Sequence, residues 1–201
     1  TYRSERKRGC LPHRRKVGIV LNIKRVEEAV KVILEEIGEN PGREGLVETP
    51  NRVARMYEEI CSALHTPPPD LKVFTNEEEY DQMIIVKDIP FYSLCEHHLV
   101  TFFGKASVGY IPNGKYVGLS KTARTIDYFA RKPQVQERLT EEIADYLFKG
   151  LTPQGLIVVV KARHLCMEAR GIKKSGAETV TSAIKGDIDK NEFLQLLDTT
   201  K

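Results

Sequence analysis

The sequence predicts an α+β protein with an antiparallel sheet. As far as Pro67-Pro68-Pro69, apolar residues recur at the three- and four-residue spacing of amphipathic helices. From Met83 onward the apolar residues form short runs rich in β-branched and aromatic side chains, which are typical of strands. Two strands, two helices and two strands then follow in separate groups, which is the order of an α+β domain and not of a parallel α/β sheet.

Three segments of different character divide the 201 residues. Residues 1–20 form a predicted flexible tail, since residues 1–16 carry seven basic side chains and one acidic one, a net charge of +6 against −3 for the rest. A basic arm can also bind nucleic acid or an acidic partner. Residues 21–69 form a predicted helical annex, and residues 70–201 form the predicted main domain.

Two helices are predicted in the annex. The first covers residues 25–37 and ends at Gly38. The second has Thr49 as its N-cap and Pro50 as its first helical residue. Cys61 belongs to the apolar stripe of this second helix, so we interpret it as a core residue and not as a metal ligand.

The main domain begins with two strand regions. The first is predicted over residues 83–86 and 89–94, and the second over residues 99–112. Asn113-Gly114 is a strong signal for a hairpin, so residues 116–119 are expected to return along the second strand.

Two helices and two further strands complete the predicted main domain. Ser120 is the expected N-cap of one helix, and Pro133 separates it from a second helix that begins near Val135. The remaining predicted elements are strands over residues 156–167 and 179–184, and a short helix that begins with a capping box of Asp189 and Glu192.

The stretch Leu94-Cys95-Glu96-His97-His98 indicates a metal site. Thiolate and imidazole are ligands that zinc prefers, and a single tight turn can direct Cys95 and His98 at one ion. Cys166 can supply a third ligand. A fourth position is then left for water, which is the pattern of a catalytic zinc and not of a structural one.

Two histidines near these ligands suggest proton transfer. Side chains alternate along a strand, so the predicted strand over residues 156–167 places His164 and Cys166 on one face and at one rim of the sheet. His97 lies between the two ligands of the turn and is expected to point away from the metal. A proton donor or acceptor suits that position better than a ligand.

Polar groups for an anionic substrate lie on the predicted helices. Ser120, Lys121 and Arg124 crowd a helix start, where free backbone N–H groups favour anions. Arg170 adds a guanidinium near the metal, and Arg52 is a further candidate. Such groups can hold a polyphosphate, although spacing alone leaves a solvated helix face equally open.

A further pair, Gln136 and Glu137, lies on the expected polar side of the second helix of the main domain. A carboxylate there can accept two hydrogen bonds from the Watson–Crick edge of guanine, although spacing alone gives this interpretation little weight. The chain has no G-x-x-x-x-G-K-[ST] motif, which excludes a P-loop.

Composition excludes several classes of protein. No apolar run approaches the roughly 18–20 residues that span a bilayer, and the N-terminus lacks the apolar core of a signal peptide. Four cysteines without an export signal indicate metal binding or free thiols, not disulfides. We expect a cytoplasmic protein with no membrane partner and no nucleic-acid partner.

Five motifs closely resemble GTP cyclohydrolase I, within a match that runs from about Leu46 to Phe193-Leu194. They are Leu94-Cys95-Glu96-His97-His98-Leu99-Val100-Thr101, Gly118-Leu119-Ser120-Lys121, Pro133-Gln134-Val135-Gln136-Glu137-Arg138-Leu139-Thr140, Ala162-Arg163-His164-Leu165-Cys166-Met167 and Ala169-Arg170-Gly171-Ile172.

The resemblance implies a tunnelling fold (T-fold) for residues 70–201, in which hairpins from several subunits close a barrel. It also implies a homodecamer of two stacked pentamers with active sites at subunit interfaces. The implied reaction converts GTP and water to formate and 7,8-dihydroneopterin triphosphate, the entry to tetrahydrofolate or tetrahydrobiopterin, with one Zn²⁺ per subunit.

The resemblance also implies a role for each matching residue. The implied zinc ligands are Cys95, His98 and Cys166. The implied proton-transfer pair is His97 and His164, and the implied guanine-binding residues are Gln136 and Glu137. The implied triphosphate-binding residues are Ser120, Lys121, Arg124, Arg170 and Arg52.

Two other classes of protein share part of this pattern. A zinc nucleobase deaminase needs an H-x-E or C-x-E element followed by P-C-x-x-C, and this chain has no C-x-x-C. A zinc-stabilised nucleic-acid-binding module would use four protein ligands and would leave His97 and His164 without a role.

Overall fold

The computed structural model of the protein describes residues 21–198, so the predicted tail over residues 1–20 lies outside the described residues. The helices in this range are α1 (Ile23–Glu36), α2 (Thr49–Ile60), α3 (Leu119–Ala130), α4 (Gln136–Leu151), α5 (Leu165–Glu168) and α6 (Lys190–Asp198). The strands are β1 (Val73–Thr75), β2 (Ile84–Cys95), β3 (Thr101–Ile111), β4 (Lys115–Val117), β5 (Pro133–Gln134), β6 (Gly155–His164) and β7 (Glu178–Gly186).

The two helices predicted within residues 21–69 are present as α1 and α2, and a short 3₁₀ helix, Ser62–Leu64, follows α2. Helix α1 ends just before Gly38, which adopts a φ of +89° that glycine tolerates without strain. The predicted N-cap of α2 is wrong by one residue. Glu48 is the N-cap, and Thr49 and Pro50 both lie in the first turn, where a missing N–H leaves no hydrogen bond unmade. Cys61 is a free, buried cysteine, as predicted.

A five-stranded sheet in the order β5-β2-β3-β6-β7 forms the centre of the main domain. The pairs β2–β3, β3–β6 and β6–β7 are antiparallel, as predicted for most of the sheet. The short strand β5 lies parallel to the end of β2 and pairs only with Leu94 and Cys95. Because β2, β3 and β6 are direct antiparallel neighbours, the end of β2, the start of β3 and the end of β6 lie at one rim of the sheet.

The predicted hairpin at Asn113-Gly114 is wrong. Strand β4 pairs with β1 in a separate two-stranded sheet and not with β3. The physical reason is that β2 and β6 already occupy both edges of β3. The turn, with Gly114 at a φ of +69°, therefore carries the chain away from the larger sheet.

Helices α3 and α4 pack on one face of this sheet and α6 on the other. Phe102, Val158 and Val160 face α3 and α4, and they share a core with Ile126 and Leu139. On the opposite face, the smaller core around Phe193 consists of Met83, Ile157, Val159 and Phe193. Successive residues of β6 thus enter different cores, as strand alternation requires.

Two further predictions need correction. Gly118 and not Ser120 is the N-cap of α3, so Ser120 lies in the first turn of the helix. The strand predicted over residues 156–167 ends at His164, and Cys166 lies in the short helix α5.

The division between residues 21–69 and residues 70–201 stays a prediction. Between residues 21 and 198, no helix is both long and apolar enough to cross a membrane.

Candidate functional site

A tight turn between β2 and β3 carries Cys95 and His98. The backbone N–H of Leu99 donates to the carbonyl of Cys95 at 2.8 Å, and the N–H of Cys95 donates to the carbonyl of Val100 at 2.9 Å. Leu99 has a φ of +51°, which turns the chain sharply back into β3. As the spacing predicts, one turn presents both side chains on the same side.

The register between β3 and β6 brings Cys166 to this turn. Phe102, near the start of β3, lies opposite His164 at the end of β6. Helix α5 begins at the next residue, and its first turn contains Cys166. Strand alternation does not extend to Cys166, contrary to the prediction, because β6 ends at His164 and a helical turn directs the Cys166 thiol. The expected proximity of His164 and Cys166 to one site is nevertheless found.

The three predicted ligands form one group. The sulfur atoms of Cys95 and Cys166 and a ring nitrogen of His98 all lie within 4.8 Å of one another. Ligand atoms around a tetrahedral zinc lie about 3.3–3.8 Å apart, given metal–ligand distances of about 2.0–2.3 Å. Shifts of about 1 Å would thus complete the geometry, so two thiols and an imidazole here fit a metal ion.

The Cys166 thiol is subject to opposing electrostatic effects. Burial raises the pKa of Cys166, and the hydrogen bond and charge of the neighbouring Cys95 raise this pKa further. The Arg170 guanidinium acts in the opposite direction. The Cys166 thiol is therefore harder to ionise than a free thiol, whereas a bound metal ion would stabilise it as a thiolate.

His97 lies beside the group without belonging to it. Its Nδ1 atom is 4.0 Å from the sulfur of Cys95, and its ring stands edge-on to that of His98 with 6.3 Å between centroids. The side chain is exposed. An exposed imidazole at this distance from the ligands is placed to exchange protons with a bound molecule or with water.

The imidazole ring of His164 has two contacts, one with the ring of Phe102 and one with the side-chain amide of Gln136. Its ring lies parallel to the Phe102 ring, with centroids 4.7 Å apart and 1° between the planes, and its Nε2 is 2.9 Å from Oε1 of Gln136. Burial lowers the pKa of His164, and the Glu137 carboxylate partly offsets this effect. The neutral imidazole is therefore favoured more strongly than in water.

The structure separates Gln136 from Glu137. Glu137 is exposed in the first turn of α4, as predicted. The expectation of a polar, exposed position is wrong for Gln136, which retains only 2% of its accessible surface. The Gln136 amide nitrogen points into the sheet and lies near the carbonyl oxygens of Val160 and Thr179 and the hydroxyl of Thr181.

These groups share a cavity of about 280 Å³. It is lined by Cys95, His97, His98, Gln134, Val135, Gln136, Glu137, His164, Cys166, Met167 and Thr179. A larger cavity of about 530 Å³ lies on the other sheet face, next to the end of α6, and its lining residues include no cysteine or histidine. The larger cavity thus lacks the candidate metal ligands and histidines. The smaller cavity contains them and is the candidate active site.

The five predicted triphosphate-binding residues are not brought into this cavity. Ser120, Arg124 and Arg170 are exposed, and Lys121 is half-buried. Arg52 lies on α2, where its guanidinium is 4.0 Å from the Glu48 carboxylate. In the described part of the chain, the structure therefore assembles the metal and proton-transfer candidates but leaves the phosphate candidates apart.

Sequence reasoning missed Phe102 and Thr181, which contact His164 and Gln136 respectively. Neither residue belongs to a ligand or acid–base type, so their residue types carry no functional signal. Only the pairing of β3 with β6 and of β6 with β7 places them beside the site.

Comparisons with known proteins identify the family of the chain. The family model described as GTP cyclohydrolase I matches residues 26–198. A protein named GTP cyclohydrolase 1 from Clostridioides difficile is 56% identical over 169 residues, which are 83% of this chain and 89% of the relative. Relatives of the same name come from Desulforamulus reducens (55% over 174 residues, 86% of this chain and 93% of the relative) and Pelotomaculum thermopropionicum (57% over 170 residues, 83% and 89%).

The architecture agrees with the same assignment. A curled, mainly antiparallel sheet with a helical layer is the T-fold of this family, as the resemblance implied. From its match over residues 26–198 and its identity to these relatives, the chain belongs to the GTP cyclohydrolase I family.

Proposed function

We propose that this protein is a zinc-dependent hydrolase that converts GTP and water to formate and 7,8-dihydroneopterin triphosphate. The observation that carries the proposal is the grouping of Cys95, His98 and Cys166 in one cavity with two further histidines, His97 and His164. The activity named for the relatives supports the choice of GTP as substrate.

The proposed metal ion is one zinc per subunit, held by Cys95, His98 and Cys166. A bound zinc would supply Lewis-acid activation of water, whose pKa it would lower to about 7. The three protein ligands would leave room for that water.

The two remaining histidines are proposed to transfer protons to and from the substrate. Guanine C8 becomes a better electrophile when the adjacent N7 is protonated, and an imidazole with a pKa near 6.5 can give and take a proton at neutral pH. His97 is exposed at the cavity and is the proposed donor. His164, whose neutral form is favoured by burial, is the proposed acceptor in later steps.

The guanine base is proposed to contact the start of α4. Glu137 is exposed at the cavity, and its carboxylate can accept two hydrogen bonds from the Watson–Crick edge of guanine. Adenine would leave the Glu137 carboxylate without these hydrogen bonds in the bound complex, and the loss of such contacts can cost about 10⁴-fold in sites built to bind polar groups. The resemblance assigns Gln136 to the same role.

The triphosphate is proposed to bind where subunits meet. Its candidate ligands, Ser120, Lys121, Arg124, Arg170 and Arg52, lie outside the cavity of their own chain. The outer edge of β2 is paired only at Leu94 and Cys95 within the described chain. At the other side of the sheet, β7 exposes Val180 by 58% and Ile184 by 44%. A strand edge without a partner and exposed apolar side chains both favour contact with further copies, which supports the proposed homo-oligomer, and the resemblance implies that it is a decamer.

The product would enter tetrahydrofolate or tetrahydrobiopterin synthesis. This place in metabolism follows from the proposed product, so the assay that identifies the product also tests it. A cytoplasmic location, and the absence of nucleic-acid and membrane partners, stay predictions from the sequence.

The test is turnover of GTP by the full chain before chelation, after chelation and after zinc is restored. We expect formate and the dihydropterin absorbance to appear together, to vanish with the metal and to return with zinc. Cys61→Ala is the matched control, because Cys61 is a buried cysteine outside the metal group. Zinc-loaded protein that binds GTP but releases no formate would contradict the proposal.

A further inference from the structure

The side-chain amide of Gln136 can be oriented from its contacts. Its nitrogen lies 3.1 Å from the carbonyl oxygen of Val160 and 2.9 Å from that of Thr179. A carbonyl oxygen only accepts hydrogen bonds, so the NH₂ group must face these two atoms. The amide oxygen of Gln136 must then face His164, where it lies 2.9 Å from Nε2.

This orientation determines which nitrogen of His164 carries a hydrogen. An amide oxygen cannot donate, so the contact is a hydrogen bond only when Nε2 of His164 is the N–H. In the neutral ring, Nδ1 is then left with the lone pair. The parallel contact with Phe102 restricts the tilt of the ring, so both the tautomer and the plane of His164 are specified.

A network of hydroxyl groups holds Gln136 in this orientation. The Thr140 hydroxyl donates to the backbone carbonyl of Gln136 at 2.8 Å, so its oxygen is the acceptor in the 2.6 Å contact with the Thr181 hydroxyl. The Thr181 oxygen in turn accepts from the Gln136 amide nitrogen at 3.2 Å. The two amide hydrogens thus have three acceptors inside the chain, and the amide has no spare donor for a ligand.

We propose that Gln136 is a positioning residue that fixes the tautomer and orientation of His164, and that Gln136 does not recognise guanine through its amide N–H groups. The catalytic consequence rests on the function proposed above. The hydrogen bond itself does not, because it can be observed without turnover.

The first test is spectroscopic. Magic-angle-spinning ¹⁵N spectra of the zinc-loaded full chain, labelled at histidine and recorded at a pH where free imidazole is neutral, distinguish the two tautomers. We expect His164, assigned by loss of its signals in His164→Ala, to show the Nε2–H form in the wild type. We expect a mixture of both forms in Gln136→Met, since methionine has a similar length and lacks the amide acceptor. An Nδ1–H form in the wild type would overturn the proposal whether or not the protein turns over GTP.

The second test separates positioning from base recognition. For Gln136→Met we expect kcat to fall roughly 10–100-fold, as is typical when the hydrogen-bond partner of an active-site histidine is lost, with KM for GTP nearly unchanged. Discrimination between GTP and inosine triphosphate, which lacks the 2-amino group, should also be unchanged. Glu137→Gln is the matched control, and it should instead raise KM and weaken that discrimination.

The opposite pattern would refute the proposal. A raised KM and weakened discrimination in Gln136→Met, with kcat and the His164 spectrum unchanged, would make Gln136 a base-recognition residue. If Gln136→Met does not fold by thermal denaturation, Thr181→Val provides the second variant. It retains Gln136 and removes one acceptor, so we expect a several-fold lower kcat with unchanged discrimination, whereas an unchanged kcat would count against the network.

Discussion

The two halves of the candidate site are built differently. The proposed metal and proton-transfer half consists of Cys95, His97, His98, His164 and Cys166, which one chain brings into one cavity. The proposed phosphate half consists of exposed or half-buried side chains on α2 and α3 and after α5, outside that cavity. The strand pairing of β2, β3 and β6 positions the first half, whereas the described chain contains no comparable scaffold for the second.

This difference has a physical reason. Metal ligands must converge to within a few ångströms, so the candidate ligands lie at or directly after the ends of neighbouring strands, whose backbone hydrogen bonds set the spacing of the segments that carry them. Cationic side chains that bind a flexible polyphosphate can remain solvated until the ligand or a second subunit arrives, because burying an unpaired charge is costly. We therefore expect substitutions in the first half to impair chemistry within each chain, and substitutions in the second half to impair binding in a way that depends on assembly.

The largest effect is expected from Cys166→Ala. Loss of one of two thiolate ligands should remove the metal, and GTP turnover should fall about 10⁴-fold or more because activation of water is lost. Metal content by mass spectrometry and formate release measure the two effects. Full zinc occupancy with normal turnover would place the metal site elsewhere.

His97→Ala should reduce kcat about 10²–10⁴-fold, the usual contribution of a general acid or base, because no proton donor would remain at that position. Metal content should be unchanged, since His97 lies outside the group of three ligands. Steady-state kinetics with a zinc assay on the same sample separates these outcomes. A loss of zinc equal to the loss of activity would instead make His97 a ligand.

Arg124→Ala should raise KM for GTP about tenfold and leave zinc content unchanged, because a charge-assisted contact to phosphate is lost. Subunit mixing then tests where the phosphate half lies. Turnover at low GTP should recover when Arg124→Ala and Cys166→Ala subunits are unfolded and refolded together, since some interface sites would regain both halves. No recovery would place Arg124 in the same subunit's site.

The smallest expected effect is on stability, and it concerns the residues that hold β5 beside the turn with Cys95 and His98. Lys132 contacts the Glu142 carboxylate at 2.6 Å with 9% of its side chain exposed, and the same carboxylate accepts from Gln134 at 2.8 Å. Lys132→Met should lower the free energy of unfolding by about 2 kcal/mol, less than for a fully buried pair because Glu142 is partly exposed.

Urea denaturation at a fixed protein concentration measures this change. The matched control is Lys31→Met, which breaks an exposed 4.0 Å pair with Glu35 on α1 and should change stability by less than about 0.5 kcal/mol. Equal effects for both variants would show that Lys132 does not anchor β5.

Much of the candidate site could be predicted from the sequence because its chemistry is local. Cys95 and His98 lie within one turn, so residue type and spacing alone indicate shared ligation. The burial of Cys61 follows from its place in an apolar stripe in the same way. The prediction that Cys166 lies on a strand is wrong, because a strand and a short helical turn cannot be distinguished over so few residues.

The fold could be predicted where each element depends on its own periodicity. The α+β class, the helices of the annex and the strand regions of the main domain follow from spacing and from glycine and proline positions. The pairing of β4 with β1 could not be predicted, since Asn113-Gly114 specifies a turn but not which strand has a free edge.

The sequence by itself determined the residue types and their local order: two thiols and an imidazole that could hold a metal, two histidines proposed for proton transfer, and an antiparallel α+β chain that carries them. Only the tertiary structure decided that Phe102 stacks on His164 and that Gln136 is buried with its amide committed to β6, β7 and His164. These contacts join residues far apart in the chain, and their geometry is set by strand register and by the need to satisfy every buried polar group.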